Sequence, residues 1–182
     1  MTVAGSAAGG VAAATLLVGL LACGAEPVGH LSAPGHVAVA GPSQTGRTVA
    51  VGGPWLCSTG SAPVRLVSVE PVTRVGQLDL RPAVHLIDTA DPTDLVGGGA
   101  DPLPGSYGPV AGVEVPACSS AARLVLGLEA RRRTGRSAAV AGLRIRYEEN
   151  RERFHVDADM SVGLCGGGGA SDWQGELGRM QC

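Results

Sequence analysis

The sequence contains no lysine, so all 14 of its basic residues are arginine, and they are matched by 16 acidic residues. The resulting net charge of −2 gives no overall positive field of the kind that draws a protein to DNA or RNA. Aromatic residues are also scarce, with two Trp, two Tyr and one Phe, so few rings are present to stack on sugars. These absences argue against nucleic-acid binding and glycoside hydrolysis, and they require a core built from Val, Leu, Ile and Ala.

Recognisable catalytic motifs are also missing. No serine lies in a G-x-S-x-G pattern, and the segment Gly105 to Gly108 lacks that spacing. The segment Gly41 to Thr48 has the spacing of a phosphate-binding P-loop, but Arg47 replaces its lysine. The residues that follow, Val49 to Pro54, cannot supply the helix that such a loop needs. We therefore expect a turn at this segment and a protein that is not an enzyme.

The chain also lacks a convincing membrane-spanning segment near its start. The uncharged apolar stretch Val11 to Ala22 is shorter than the roughly 20 residues that cross a bilayer, and it suits the apolar region of a signal peptide. It closes with Leu20-Leu21-Ala22-Cys23, which resembles the lipobox of bacterial prolipoproteins. The resemblance implies a signal peptide over residues 1–22 and an acylated Cys23 as the mature N-terminus. It also implies an extracytoplasmic protein anchored in the cell membrane by lipid.

Two features of the composition bear on this resemblance. The absence of lysine and the abundance of Ala and Gly are typical of a GC-rich genome such as that of an actinobacterium. In contrast, Met1 to Ala25 carries no Lys or Arg, whereas a signal peptide normally opens with a positive region. Either the start lies upstream or the terminal amine supplies the charge. Ordinary secretion, and an apolar N-terminus without an export role, remain as alternatives.

The mature chain is long enough for one domain behind a flexible tether. Residues 23–54 are rich in Gly, Ala and Pro and predict the tether, although 36–40 and 48–51 could add a short edge strand. Residues 55–165 predict the folded domain. Residues 166–182 begin with four glycines and predict a loose tail.

The cysteines fit an oxidising compartment. Acylation of Cys23 would leave an even number of thiols for disulfides, namely Cys57, Cys118, Cys165 and Cys182. Four cysteines allow three pairings, of which we favour Cys57 with Cys165, because these residues flank the predicted core strands. The long intervals between them do not match the short spacings of a zinc site.

Alternating apolar and polar residues predict an all-β fold. Val64 to Glu70, Ala83 to Ile87 and Val110 to Val115 are typical of strands. Arg123 to Arg132 and Val140 to Glu148 predict a β-hairpin, and a turn at 149–152 extends it into a meander. We expect an immunoglobulin-like antiparallel β-sandwich of about 7–8 strands, in the architectural sense.

One strand face offers candidate metal ligands. His155, Asp157 and Asp159 alternate along a predicted strand, and His85 would join them if its strand were a neighbour. The same pattern is typical of the solvent-facing side of an amphipathic strand, in which case no divalent metal binds. The predicted hairpin tip, Arg131 to Arg133 with Arg136, could meet anionic headgroups or could be an ordinary solvated turn.

Together these features predict a cell-envelope lipoprotein that acts as a non-catalytic binding or structural module. Its partners would be the membrane, through Cys23, and an envelope protein or small ligand. A metal-binding envelope protein and a secreted enzyme are the alternatives.

Overall fold

The computed structural model describes residues 29–88 and 102–167. Within these ranges the chain forms ten strands and no helix. In chain order the strands are β1 (Leu31–Ser32), β2 (His36–Pro42), β3 (Thr48–Ser58), β4 (Val64–Val75), β5 (Leu78–Asp88), β6 (Gly108–Pro109), β7 (Glu114–Val115), β8 (Ala122–Arg132), β9 (Ala138–Glu149) and β10 (Glu152–Cys165).

The strands form two five-stranded sheets. Sheet I has the order β1-β3-β8-β5-β6, and sheet II has the order β2-β10-β9-β4-β7. Strand β2 pairs parallel to β10, and the other neighbouring strands within the sheets pair antiparallel. The predicted all-β sandwich is confirmed. The structure exceeds the predicted strand number because β1, β6 and β7 are short strands of two residues each.

The core lies between the sheets and is aliphatic, as the shortage of aromatics requires. Strand β8 directs Leu124, Leu126 and Leu128 inward, and β9 opposes them with Leu143 and Ile145, all of them buried. Full burial of one such side chain contributes about 1.5–3 kcal/mol to folding. Alternate residues of each strand therefore supply the stability, and the remaining residues face outward.

The N-terminal part of the sandwich begins earlier than expected. Residues 31–54, predicted to be tether, instead form β1, β2 and the first part of β3. Strand β2 runs alongside β10 from the pair His36 with Asp159 to the pair Pro42 with Cys165. Val37 and Val39 pack against the core, as the possible edge strand at 36–40 requires, and backbone pairing to β10 supplies the rest of its order.

The predicted hairpin between β8 and β9 is wrong, because these strands lie in different sheets. The connection 133–137 crosses from sheet I to sheet II, and 43–47 and 76–77 also cross between the sheets. These three connections lie together at one end of the sandwich, which we call the arch end. The opposite end, where Gly29 and His30 lie, is called the His30 end. Since alternation only shows which residues face the core, it cannot tell a hairpin from an arch.

Two other local predictions had different outcomes. The turn between β9 and β10 is confirmed, with Asn150 and Arg151 both at positive φ. The predicted strand Val110 to Val115 is wrong over most of its length, because the chain turns at Gly112, whose φ is 83°. Only Glu114–Val115 pairs as β7.

Proline is distributed according to strand position. Each long outer or partly covered strand contains one, namely Pro42 in β2, Pro54 in β3, Pro71 in β4 and Pro82 in β5. The central strands β8, β9 and β10 contain none. A proline cannot donate a backbone hydrogen bond, so it is tolerated at a sheet edge and discourages pairing with another strand there.

A disulfide joins Cys57 to Cys118, with a Cα–Cα distance of 4.8 Å. The predicted pair of Cys57 with Cys165 is wrong, because β3 carries Cys57 to the His30 end whereas β10 carries Cys165 to the arch end. Cys165 is also disulfide-bonded. Cys23 and Cys182 lie outside the described residues.

Candidate functional site

The predicted metal ligands on β10 lie on the outer face of sheet II, which is a lattice of paired charges. Asp157 accepts two hydrogen bonds from Arg144, from Nε and from one terminal nitrogen, each 2.8 Å long. Asp159 contacts His36 with an Nδ1–Oδ2 distance of 2.8 Å. Neighbouring strands add the pairs Arg65 with Glu114, Arg146 with Glu70, and Arg153 with Glu148.

This pairing accounts for the carboxylates without a metal ion. The Arg144 guanidinium holds the pKa of Asp157 below its usual range, because its hydrogen bonds favour the ionised carboxylate. The described residues contain no group of three side chains able to hold a metal. His155 is exposed beside Arg146 in the neighbouring strand. The structure therefore does not assemble the predicted set.

His85 lies on the other sheet, so it cannot join the residues of β10. It is half-buried in β5, and its Nδ1 lies 3.1 Å from the carbonyl oxygen of Ser106. A carbonyl can only accept, so this ring nitrogen carries the proton. The imidazole also packs against Tyr107, with the ring centroids 5.2 Å apart. His85 thus fastens the segment 102–107, which we call the strap, to the outer face of sheet I.

The strap has two further attachments. The backbone N–H of Leu103 donates to Glu129, at 3.0 Å. The ring of Tyr107 lies so close to Gly127 that a Cβ at that glycine would come within 2.5 Å of it. The strap therefore lies over the outer face of sheet I at His85, Gly127 and Glu129.

The two ends of the sandwich each contain one buried charged side chain. At the His30 end, Glu149 is 4% exposed and accepts hydrogen bonds from the backbone N–H of His30, at 3.1 Å, and from its ring, at 2.7 Å. Beside it, burial raises the pKa of Tyr147, whose hydroxyl accepts a long hydrogen bond from Leu31. These contacts hold the start of the described chain against the sandwich.

At the arch end the buried charge is Arg132, which is 3% exposed. Its guanidinium donates to the carbonyl oxygens of Thr134, at 3.0 Å, and Arg136, at 3.1 Å. It also donates to the hydroxyl of Ser43, at 3.3 Å, and to the carbonyl of the same residue. Among the described residues no carboxylate contacts it. Arg132 thus ties two arches together while its positive charge stays uncompensated.

The other arginines of the predicted hairpin tip differ in their partners. Arg131 and Arg133 both donate to Asp79, and these bonds hold the pKa of Asp79 below its usual range. The side chain of Arg136 lines an open cleft of about 680 Å³ with Gln77, Thr134 and Ser137. The arch end therefore offers cationic and hydroxyl groups around a cleft.

A second cleft of about 570 Å³ lies between β2 and β3 and includes part of the segment with P-loop spacing. The predicted turn is confirmed there, since the Arg47 N–H donates to the carbonyl of Gln44 at 3.2 Å and strand β3 begins at Thr48. Within the described residues no helix follows this turn. The segment therefore lacks the helix N-terminus that a P-loop uses to bind phosphate.

Sequence reasoning missed the two buried charges, although the signal was present. The inward positions of β8 and β9 continue at a spacing of two to Arg132 and to Glu149. Extending the alternation to the strand ends would have placed both side chains inside.

No protein family, curated protein or solved structure matches this chain. Within the described residues there is no helix with the length and hydropathy needed to cross a bilayer.

Proposed function

We propose that this chain is a lipid-anchored protein of the bacterial cell envelope, acting outside the cytoplasm as a non-catalytic binding or structural module. The observation that carries the proposal is the Cys57–Cys118 disulfide, together with the lipobox-like sequence before Cys23. Structural disulfides persist in oxidising compartments and are rare in the cytosol, where thiols are kept reduced. Export to an oxidising compartment would account for both the disulfide and the lipobox-like sequence.

The cysteine count supports acylation of Cys23. Cys57 and Cys118 pair with each other, and Cys165 is disulfide-bonded. If Cys23 carries lipid, its sulfur cannot enter a disulfide, and Cys182 is then the partner of Cys165. Acylation and disulfide pairing together would use every cysteine in the sequence, which suits a compartment in which an unpaired thiol would be oxidised.

The non-catalytic role is supported by the ionisation of the exposed carboxylates. A general acid at neutral pH needs a carboxyl group whose pKa is raised. Arginine pairing instead lowers the pKa of both Asp79 and Asp157. Both groups are therefore suited to ion pairing rather than to proton transfer.

Intact mass of the membrane fraction from a bacterial host tests the anchor. Wild type should give a chain that starts at Cys23 with added acyl mass, and Cys23→Ala should lose that mass and leave the membrane. Ala25→Gly, just beyond the lipobox, should be processed as wild type. An unprocessed chain in the cytoplasm would overturn the proposal.

Peptide mapping without reductant tests the assignment of the cysteines. We expect one linked peptide containing Cys57 and Cys118 and another containing Cys165 and Cys182. A peptide in which Cys23 is disulfide-linked would contradict its acylation, even if the protein were exported.

A further inference from the structure

The described chain begins at the end of the sandwich opposite the arches. Gly29 packs against Tyr147 and Phe154, beside the turn between β9 and β10. Strand β9 has 12 residues. At about 3.3 Å per residue it places the arch end roughly 35 Å away. The segment from Cys23 to Gly29 reaches at most about 21 Å when fully extended. A lipid on Cys23 therefore brings the His30 end to the membrane and directs the arch end outward.

Positive charge is concentrated at this outward end. Arginine predominates in the arches and the adjoining strand ends, where Arg131 and Arg133 share the carboxylate of Asp79 and Glu129 lies nearby on β8. The arginines of this end are Arg47, Arg74, Arg131, Arg132, Arg133 and Arg136. Elsewhere the arginines of sheet II form pairs with carboxylates. Although the net charge of the sequence is close to zero, positive charge is concentrated at the arch end, which would attract anions.

The buried guanidinium of Arg132 adds to the positive electrostatic potential of the arch end. A buried charge is costly unless an opposite charge compensates it, and the partners of Arg132 in the described structure are neutral oxygens. The guanidinium lies beneath the loop that carries Thr134 and Arg136. An anion bound over this loop would compensate a charge that the fold leaves unbalanced.

The cleft above this loop has the groups that such an anion needs. Its lining includes Arg136, Gln77, Thr134 and Ser137, and the hydroxyl of Ser137 accepts a hydrogen bond from the Gly166 N–H. Arg74 lies near the cleft at the end of β4, on the face of the strand opposite to the cleft residue Val75. Neither Arg74 nor Arg136 forms an ion pair with another described residue. Their guanidinium groups are therefore available to an oxyanion, which arginine can bind through two parallel hydrogen bonds.

We propose that the arch end is an anion-binding site for phosphate or carboxylate groups of an anionic polymer of the envelope, held away from the membrane that carries the lipid. The outward orientation rests on the proposed function, whereas the site itself does not. The orientation argues against the anionic headgroups of the anchoring membrane, because the arginines lie at the far end from the lipid.

The site is tested with the full-length Cys23→Ala chain, which carries no lipid. We expect it to bind inorganic polyphosphate or poly-glutamate, more weakly as salt rises because the contacts are ionic. The double variant Arg74→Gln/Arg136→Gln should weaken binding at least about tenfold, because it removes the two arginines of the arch end that form no ion pair with another described residue. Whichever probe binds more tightly identifies the oxyanion.

A matched control removes the same charge from the other end. Arg151→Gln/Arg153→Gln should change affinity less than about twofold, since these residues lie at the His30 end. An equal loss in both double variants, or no binding by the starting chain, would overturn the site. Tighter binding to phosphatidylglycerol vesicles than to either polymer would show that headgroups are the ligand and would overturn the polymer assignment.

The orientation is tested separately with acylated wild type inserted in phosphatidylcholine vesicles. Its affinity for the better polymer probe should stay within about twofold of the lipid-free chain. Loss of binding on insertion would overturn the outward orientation but leave the site intact. Failure of Cys23 to acquire lipid would overturn the proposed function instead, and the result with the lipid-free chain would be unaffected.

Discussion

Arg151 occupies a backbone conformation that favours glycine. With Asn150 at φ 52° and Arg151 at φ 68°, the turn between β9 and β10 has both central residues in the left-handed region. Turns of this kind favour Asn followed by Gly, and the sequence supplies only the Asn. The side chain at position 151 thus makes the turn less stable than it could be.

Arg151→Gly should therefore stabilise the protein by about 0.5–1 kcal/mol, because relief of strain exceeds the entropy that glycine gains on unfolding. Urea unfolding measures this change. Arg151→Lys keeps both the charge and the Cβ, so it should leave stability unchanged. Equal stabilisation by lysine would point to charge instead of backbone conformation.

The pair of Asp157 with Arg144 predicts a pH-dependent contribution to stability. Because the folded-state pKa of Asp157 is lowered, the contribution is present above the ordinary range of aspartate, near pH 4. It is lost as pH falls through the lowered folded-state value.

Asp157→Asn should thus be slightly less stable than wild type at pH 6, and the difference should shrink as pH falls below the ordinary range of aspartate. Denaturation curves at several pH values measure it. Glu152→Gln, at the exposed start of β10, controls for the loss of negative charge. A difference that stays constant as pH falls would show that the effect does not come from ionisation.

At the scale of residues, sequence pattern identified which side chains face outward but not which partners they meet. The alternation of β10 correctly placed His155, Asp157 and Asp159 on the exposed face. Their partners depend on β9 and β2 lying on either side of β10, which is a property of the sheet order. That is why alternation alone does not show that Asp157 and Asp159 lie in ion pairs with Arg144 and His36.

The strap over sheet I predicts a strong requirement for glycine at position 127. A Cβ there would lie 2.5 Å from a ring carbon of Tyr107 and 2.9 Å from Leu103. Gly127→Ala should destabilise the protein by about 1–3 kcal/mol, the cost of overpacking a close contact.

Urea unfolding and limited proteolysis would show the loss of stability and the release of the strap. Gly105→Ala is the matched control, because it lies within the strap and a Cβ there meets open space. If both variants behaved as wild type, the close packing of Tyr107 on Gly127 would be disproved.

At the scale of elements, the sequence predicted strands better than it predicted their connections. The segments that became β8 and β9 were found because each alternates against a buried face. Their assignment to one hairpin failed because an inward-facing row of Leu looks the same whether the next strand lies beside it or opposite it. Strand β2 was underestimated for another reason, since only Val37 and Val39 pack against the core and the rest of its order comes from backbone pairing to β10.

The Cys57–Cys118 bridge acts on the whole molecule, because it fastens the end of β3 to the segment before β8 across 61 residues. A link of this kind stabilises mainly by restricting the unfolded chain. Cys57→Ser/Cys118→Ser should lower the free energy of unfolding by about 2–4 kcal/mol, as measured by urea unfolding.

The exposed Ser119→Ala, next to the bridge, should have no effect. Reductant should destabilise wild type more than the double variant, because only wild type has this bridge to lose. An unchanged unfolding midpoint in the double variant would show that the bridge does not contribute to stability.

At this scale the sequence predicted the class of fold and the presence of disulfides, but not the pairing. Pairing depends on which strand ends meet, and β3 and β10 carry their cysteines to opposite ends of the sandwich. The same arrangement gathers arginines that lie scattered along the sequence at the arch end.

The prolines near the sheet edges discourage strand pairing between neighbouring copies of the protein. Molecules anchored in a membrane diffuse in two dimensions and collide often, and exposed strand edges would then fuse neighbouring sandwiches into continuous sheets. Pro42, Pro54, Pro71 and Pro82 each remove a backbone donor from a long strand at or next to a sheet edge. Copies anchored as proposed would therefore remain individual molecules even when crowded.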